Sequence, residues 1–244
     1  MRNAWQIVVK TSKVLYIIAD NRLRDSIGVD MLLLNTQLVF FFDRDYSGEF
    51  ESLSISLKAV FENSTSTMLI PIDTSAPSEI PRLTISFNGY AINVSKNRID
   101  ITINGPNIDT NIIERLNAFD FSSLNINVKR IGYVCTYFFE DNPNRILNEV
   151  FSEQYRSNDY TELNIRLNKP FSSNGKQCNN IESVSPGKIN GFLDGNQLSK
   201  NGLIVQRDVN TSANEVIPII FDMRRTFIAD FSEKCTQFIF HYEG

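Results

Sequence analysis

The sequence predicts an α+β protein built mainly on antiparallel sheet, with helices packed on one side. Three observations carry that prediction. Segments in which apolar and polar residues alternate recur along most of the chain, as in "RLTISF", "IDITIN" and "YTELNIRL". Asn-Gly pairs at 88–89 and 104–105 follow such segments and supply the positive φ that tight reversals require. Helical spacing enters only after strands, in the order strands, helix, strand, then strands, helix, which suggests two similar lobes.

The elements follow in chain order. Over residues 1–75, "WQIVV", "VLYII", "VDMLLLNTQLVFFFD" and "ESLSISLKAVF" carry β-branched or aromatic residues and stop at turn formers. They read as a β-rich N-terminal lobe of four or five antiparallel strands. The run from Met31 to Phe42 is nearly continuous in apolar residues, so as a strand it is covered on both faces, at the sheet's centre. A short helix over Ile27 to Leu34 competes with that reading. "TSAPSEIP", residues 74–81, is the connector, because Pro77 and Pro81 remove backbone donors and push the preceding residues to extended geometry. Beyond it lies an α+β lobe over residues 82–244, joined with the first in one compact unit.

In that lobe, Leu83, Ile85 and Phe87 alternate with Thr84, Ser86 and Asn88, and Ile99, Ile101 and Ile103 alternate with Asp100, Thr102 and Asn104. Each strand therefore has a core face and a wet face. Asn111 followed three residues later by Glu114 reads as a capping box, and Ile112, Ile113, Leu116 and Phe119 give a helix near 111–119. "LNINVKRIGYVCTYFF" is a long strand with Ile126, Val128 and Ile131 inward. Asn142 and Pro143 open a second helix near 143–155. "YTELNIRLNKPF" is the clearest strand, "SSNGKQCNNIESVSPG" reads as loop, and "KINGFLDG", "GLIVQRDVNT" and "EVIPIIFDM" read as three strands. A helix near 229–241 closes the chain with Phe231, Cys235, Phe238 and Tyr242 on one face.

Length and composition bound the function. A chain of 244 residues with 42% hydrophobic and 21% charged residues has the makeup of a globular protein. A net charge of −4 with scattered basic residues argues against nucleic-acid binding, which needs a concentrated excess of Lys and Arg to neutralise phosphates. Cys135, Cys178 and Cys235 are odd in number and far apart, which fits reduced thiols in the cytoplasm and shows no metal spacing. Lys10 and Lys13 interrupt the first apolar run, no cleavage site follows, and no stretch approaches the ~18 uninterrupted apolar residues of a membrane span.

Catalytic signals are sparse. His241 is the only histidine and lies near the end of the sequence, a poor place to hold a general base. No Gly-rich phosphate loop occurs. "DRDYSGEFE", residues 43–51, fits the first half of a calcium loop through Asp43, Asp45, Ser47 and Gly48, but its twelfth position is Ser54 where a bidentate Glu is required. It reads instead as a charged hairpin turn between strands. Asp208, Asp222 and Asp230 could serve acid/base work, yet Arg207, Arg224 and Arg225 beside them suit surface ion pairing equally well.

From "ISFNGYAINVSKNRIDITI" to "VKRIGYVCTYFF", the layout resembles a sporadically distributed family of uncharacterised bacterial proteins, in which a segment of the type Arg-Ile-Gly-Leu-Arg-Tyr follows two short strands and a helix. Arg130, Ile131, Gly132 and Tyr133 stand in that segment here, without its second basic residue. "GLIVQRDVNT" and the Asp in "IIFDM" are similar to the family's second half, so the resemblance spans roughly residues 82–244. The N-terminal lobe does not resemble the family's usual opening. The resemblance implies the fold class and a bacterial origin, and no activity.

The expectation is a non-catalytic binding or interaction protein whose partner is another protein or a second copy, with no catalytic, cofactor or metal residue assigned. Thr84, Ser86, Asp100, Thr102, Arg207 and Asp208 are the candidate contact surface. The alternatives are a metal-dependent hydrolase or nuclease-like enzyme using Asp or Glu, and a component of a phage or mobile-element conflict system. The last rests only on the distribution of the resembling family.

Overall fold

The computed structural model describes residues 6–8, 16–18, 31–71, 75–104, 110–140, 164–193, 196–214 and 221–239. Its strands are β1 (Gln6–Val8), β2 (Tyr16–Ile18), β3 (Met31–Phe42), β4 (Ser66–Leu69), β5 (Leu83–Ser86), β6 (Tyr90–Val94), β7 (Arg98–Asn104), β8 (Val128–Phe139), β9 (Ile165–Asn168), β10 (Phe171–Ser173), β11 (Lys176–Leu193) and β12 (Asn196–Thr211). Its helices are α1 (Phe50–Val60), α2 (Thr110–Ala118) and α3 (Phe221–Thr236), with a 3-10 turn at Phe121–Leu124.

The strands form one open sheet in the order β2-β1-β11-β12-β8-β3-β7-β6-β5-β4, with β9 and β10 lying end to end on the outer edge of β11. Every pairing among the described strands is antiparallel. β3 runs through the middle, between β7 and β8. Strands from both sides of residues 75–81 therefore alternate within a single layer.

Period-two alternation sends Leu38 and Phe40 of β3, Ile99 and Ile101 of β7, Tyr133 and Tyr137 of β8, and Leu203 and Val205 of β12 into one core. The same cluster contains Leu53 and Leu57 of α1, Leu116 of α2, and Phe227 and Phe231 of α3. α3 contacts β8 and β12, α2 contacts α1 and α3, and α1 contacts β4 and β5. Each large side chain fully buried here contributes about 1.5–3 kcal/mol of transfer free energy. A second cluster, Leu34, Phe138 and Ile189 with Leu32 and Ile204 against it, forms near the N-terminal end of β3.

Several expectations change. Phe50–Val60 is helix and not strand, because the side chains that bury follow the helical period: Leu53, Leu57 and the C-cap residue Phe61 are fully buried while Ile55 is 71% exposed. Residues 43–49 consequently join a strand to a helix and form no hairpin. "SSNGKQCNNIESVSPG" is not loop: Asn174 and Gly175, at φ 49° and 71°, make a two-residue hairpin turn, and β11 runs on from Lys176. The last helix begins at Phe221, so Asp222 stands in its first turn and not at a strand end. α2 begins at Thr110, which puts Asn111 inside the helix and not at its cap. Of the alternative helix over Ile27 to Leu34, Met31–Leu34 is strand, part of β3; its remainder, the expected helix near 143–155 and the stretch 215–220 lie outside the described residues.

At the β8 end of the long β11–β12 hairpin, Gly187 and Gly202 face each other. A Cβ at Gly202 would meet the Phe139 carbonyl oxygen and the Phe138 ring. Only glycine leaves room there for the end of β8 to lie against β12.

Candidate functional site

The face of the sheet opposite the helix-bearing core is read directly from the strand registers. One transverse row crosses seven strands as Thr84, Asn93, Asp100, Val39, Gly132, Asn210 and Asn179. The next row places Ser86, Ala91, Thr102, Gln37, Val134 and Asp208 side by side. Five of the six residues expected to form a contact surface thus share two adjacent rows of one face. They come from three strands, β5, β7 and β12.

Arg207 does not join them. Consecutive strand residues point to opposite faces, so Arg207 goes inward with Leu203, Val205 and Val209 while Asp208 goes outward. The Arg207 side chain is fully buried, as is that of Glu182, and Nη1 donates to Glu182 Oε2 at 2.5 Å. Nη2 donates to Asn180 Oδ1 at 2.5 Å and to the Lys234 carbonyl at 3.0 Å, at the end of α3. Glu182 also accepts from the Ile239 backbone N–H at 2.6 Å. This cluster staples the C-terminal end of α3 to the sheet, and the guanidinium is placed where the helix dipole favours a cation. Asp100, expected to face solvent, is only 4% exposed and accepts from Arg98 Nε at 3.0 Å.

A third row supplies what the sequence reading missed. Arg98, Phe41 and Arg130 lie side by side on β7, β3 and β8. The half-buried Phe41 ring sits between two guanidinium carbons, 5.9 Å from Arg98 and 4.7 Å from Arg130. Arg130 Nε donates to the Thr211 carbonyl at 3.1 Å, and its Nη2 reaches Asn210 Oδ1 at 3.4 Å. Asn210 donates to Asp208 at 2.8 Å, Asn179 donates to Asn210 at 3.1 Å, and Asn168 donates to Asn179 at 3.0 Å. Half-burial pushes the Arg130 guanidinium below its usual range, and the Asp208 charge opposes that shift. The signal for Arg98 was present in the alternation Arg98, Asp100, Thr102; for Phe41 it was hidden in an unbroken apolar run.

Gly132 leaves the centre of the first row without a side chain, between the Arg130–Phe41 pair and the Asp208–Asn210 pair. Two arginines are balanced by two aspartates. These rows present cross-braced hydrogen-bonding groups around an aromatic ring.

The other carboxylates considered for chemistry do not converge. Asp208 points away from α3, whereas Asp230 lies on α3 and accepts from Ser173 Oγ at 2.5 Å. Arg224 is buried beside Phe121, 5.1 Å from its ring, and Arg225 is exposed. In the 43–51 segment, Asp43 accepts from the Asn127 backbone N–H and from its side-chain amide, each at 3.0 Å, while Asp45 accepts from Ser78 at 2.5 Å. Those carboxylates tie the loop to two different neighbours. Among the described residues, no three His, Cys, Asp or Glu side chains are grouped to hold a metal ion. No helix of the described residues is long and apolar enough to cross a membrane. No protein-family model matches the chain, and no curated protein sequence matches it.

Proposed function

We propose that the chain is a non-catalytic interaction protein, with its helices on one face of the sheet and the opposite face serving as a contact surface for a protein partner. The observation that carries this reading is Phe41 held between Arg98 and Arg130 in the middle of that face. Aromatic and arginine side chains dominate binding energy at protein interfaces, and these are braced before any partner arrives. Thr84, Ser86, Thr102 and Asp208 are the surrounding polar positions. Arg98 is paired with Asp100, and the Asp208 charge acts on Arg130, which suits a protein surface better than a polyanion, whose binding rests on uncompensated Lys and Arg.

The reading is tested by quantitative capture from cells with the wild-type chain, Thr102→Arg and a control, Ile55→Arg, on exposed α1. Partners lost with Thr102→Arg and kept with the control support it. A captured set that is the same for all three, or absent for all three, refutes it.

A further inference from the structure

We propose that β4 is the seam of a homodimer in which two copies pair edge to edge, antiparallel, about a twofold axis at Met68. The seam is made by backbone groups at the sheet's edge, which adjoins the contact face where Met68 stands beside Thr84; Thr67→Pro tests the seam and Thr102→Arg the face, so each can fail without the other. Among the described residues, β4 is the last strand of the sheet and has β5 as its sheet neighbour. All four of its residues are exposed, with Met68 at 56% and Leu69 at 39%. Edge strands in single-chain proteins are blunted by charge, proline or a bulge. "STML" carries no charge, proline or bulge within it and is followed by Ile70 and Pro71, whereas β9, at the other margin, carries Arg166 within the strand and runs into Lys169 and Pro170.

The register fixes how a second copy would fit. Ile70 N–H donates to the Arg82 carbonyl at 2.8 Å, and Met68 and Ser66 follow in the same phase along β5. The N–H and C=O groups of Thr67 and Leu69 therefore point away from the sheet. With Met68 on the axis, Thr67 of one copy lies opposite Leu69 of the other, and each such pair exchanges two backbone hydrogen bonds. Met68 meets Met68 on the opposite side of the strand, where its flexible thioether adapts to its own copy. The strand carries no charge, so self-pairing sets no like charges against each other. A closed twofold also removes both free edges at once.

The test uses the full chain. Sedimentation over a concentration series should approach twice the chain mass for wild type and stay at the single-chain mass for Thr67→Pro, which removes an outward N–H and leaves the β4–β5 bonds intact. Urea melts at a concentration where wild type is still single-chain should show the same midpoint for both, and only wild type should gain stability as concentration rises. A single-chain mass for wild type at every concentration overturns the proposal. So does a dimer that persists in Thr67→Pro; if that dimer is lost in Thr102→Arg, the seam lies on the sheet face instead. A second pair of variants is independent of proline. Facing residues in a non-hydrogen-bonded antiparallel pair have Cα atoms ~4.5 Å apart, within disulfide range, while Thr67 and its own copy would be beyond ~7 Å. The native thiols are buried. Under oxidised glutathione, Met68→Cys should cross-link into a dimer at least about tenfold faster than Thr67→Cys. Equal rates, or a faster Thr67→Cys, contradict the register.

Discussion

Arg207 shows how much one buried charge can organise. Its guanidinium joins Glu182, Asn180 and the end of α3, lies 5.8 Å from the Phe238 ring, and leaves Nε without a hydrogen-bond partner among the described residues. Truncating it strands the Glu182 carboxylate in the core. Arg207→Ala should therefore cost about 3–5 kcal/mol in urea melts, whereas the double replacement Arg207→Met with Glu182→Leu should cost much less, because no lone charge remains. Asp43 gives a second, pH-dependent case. Burial alone raises its pKa, but the Asn127 N–H, the Asn127 amide and Arg44 more than reverse that and hold it at about 2. The folded pKa lies below the unfolded value of ~3.9, so the stabilisation is complete above that value and is lost as pH falls toward about 2. Asp43→Asn should lower stability at pH 7 by about 1–2 kcal/mol and flatten the acid limb of the melting-temperature profile between about pH 4 and 2. An unchanged acid limb would mean that Asp43 is not held this way.

At the scale of elements, the sequence was legible where each strand has one apolar face. Leu83, Ile85, Ile99, Ile101 and Ile103 are all buried, as their alternation requires. It was illegible where core positions are polar. The inward side of the first half of β11 is Lys176, Cys178, Asn180 and Glu182, a pattern that reads as loop because its partner, Arg207, lies 25 residues beyond Glu182. α1 failed for a different reason: Leu53, Ile55 and Leu57 satisfy a period of two, and only Phe61 extends the i, i+4 series that the fold buries. Leu53→Ala should cost about 2–5 kcal/mol and Ile55→Ala about 0.5 kcal/mol or less. Similar losses at both positions would restore a strand-like burial of this segment. The candidate contact face was partly legible for the same reason as the core. Alternation puts Thr84, Ser86, Thr102 and Asp208 on one face, as the strand registers do, and the same rule sends Arg207 to the other.

At the scale of the whole molecule, the account rests on one sheet with two unlike faces: one apolar along its length, packed with Leu53, Leu57, Leu116, Phe227 and Phe231, and one that is polar around Phe41 and apolar only at the Leu34, Phe138 and Ile189 cluster. Cysteine labelling separates them, since Cys135, Cys178 and Cys235 are buried and an introduced thiol can be read alone. Ile101 is fully buried, and Thr102, its neighbour, is half-buried on the other face. Ile101→Cys and Thr102→Cys are each treated with a thiol reagent, alone and with the captured partner. The account predicts that Thr102→Cys reacts in the folded chain and is protected by the partner, while Ile101→Cys reacts only on unfolding. Ready reaction at Ile101→Cys, or a rate at Thr102→Cys that the partner does not change, would contradict it.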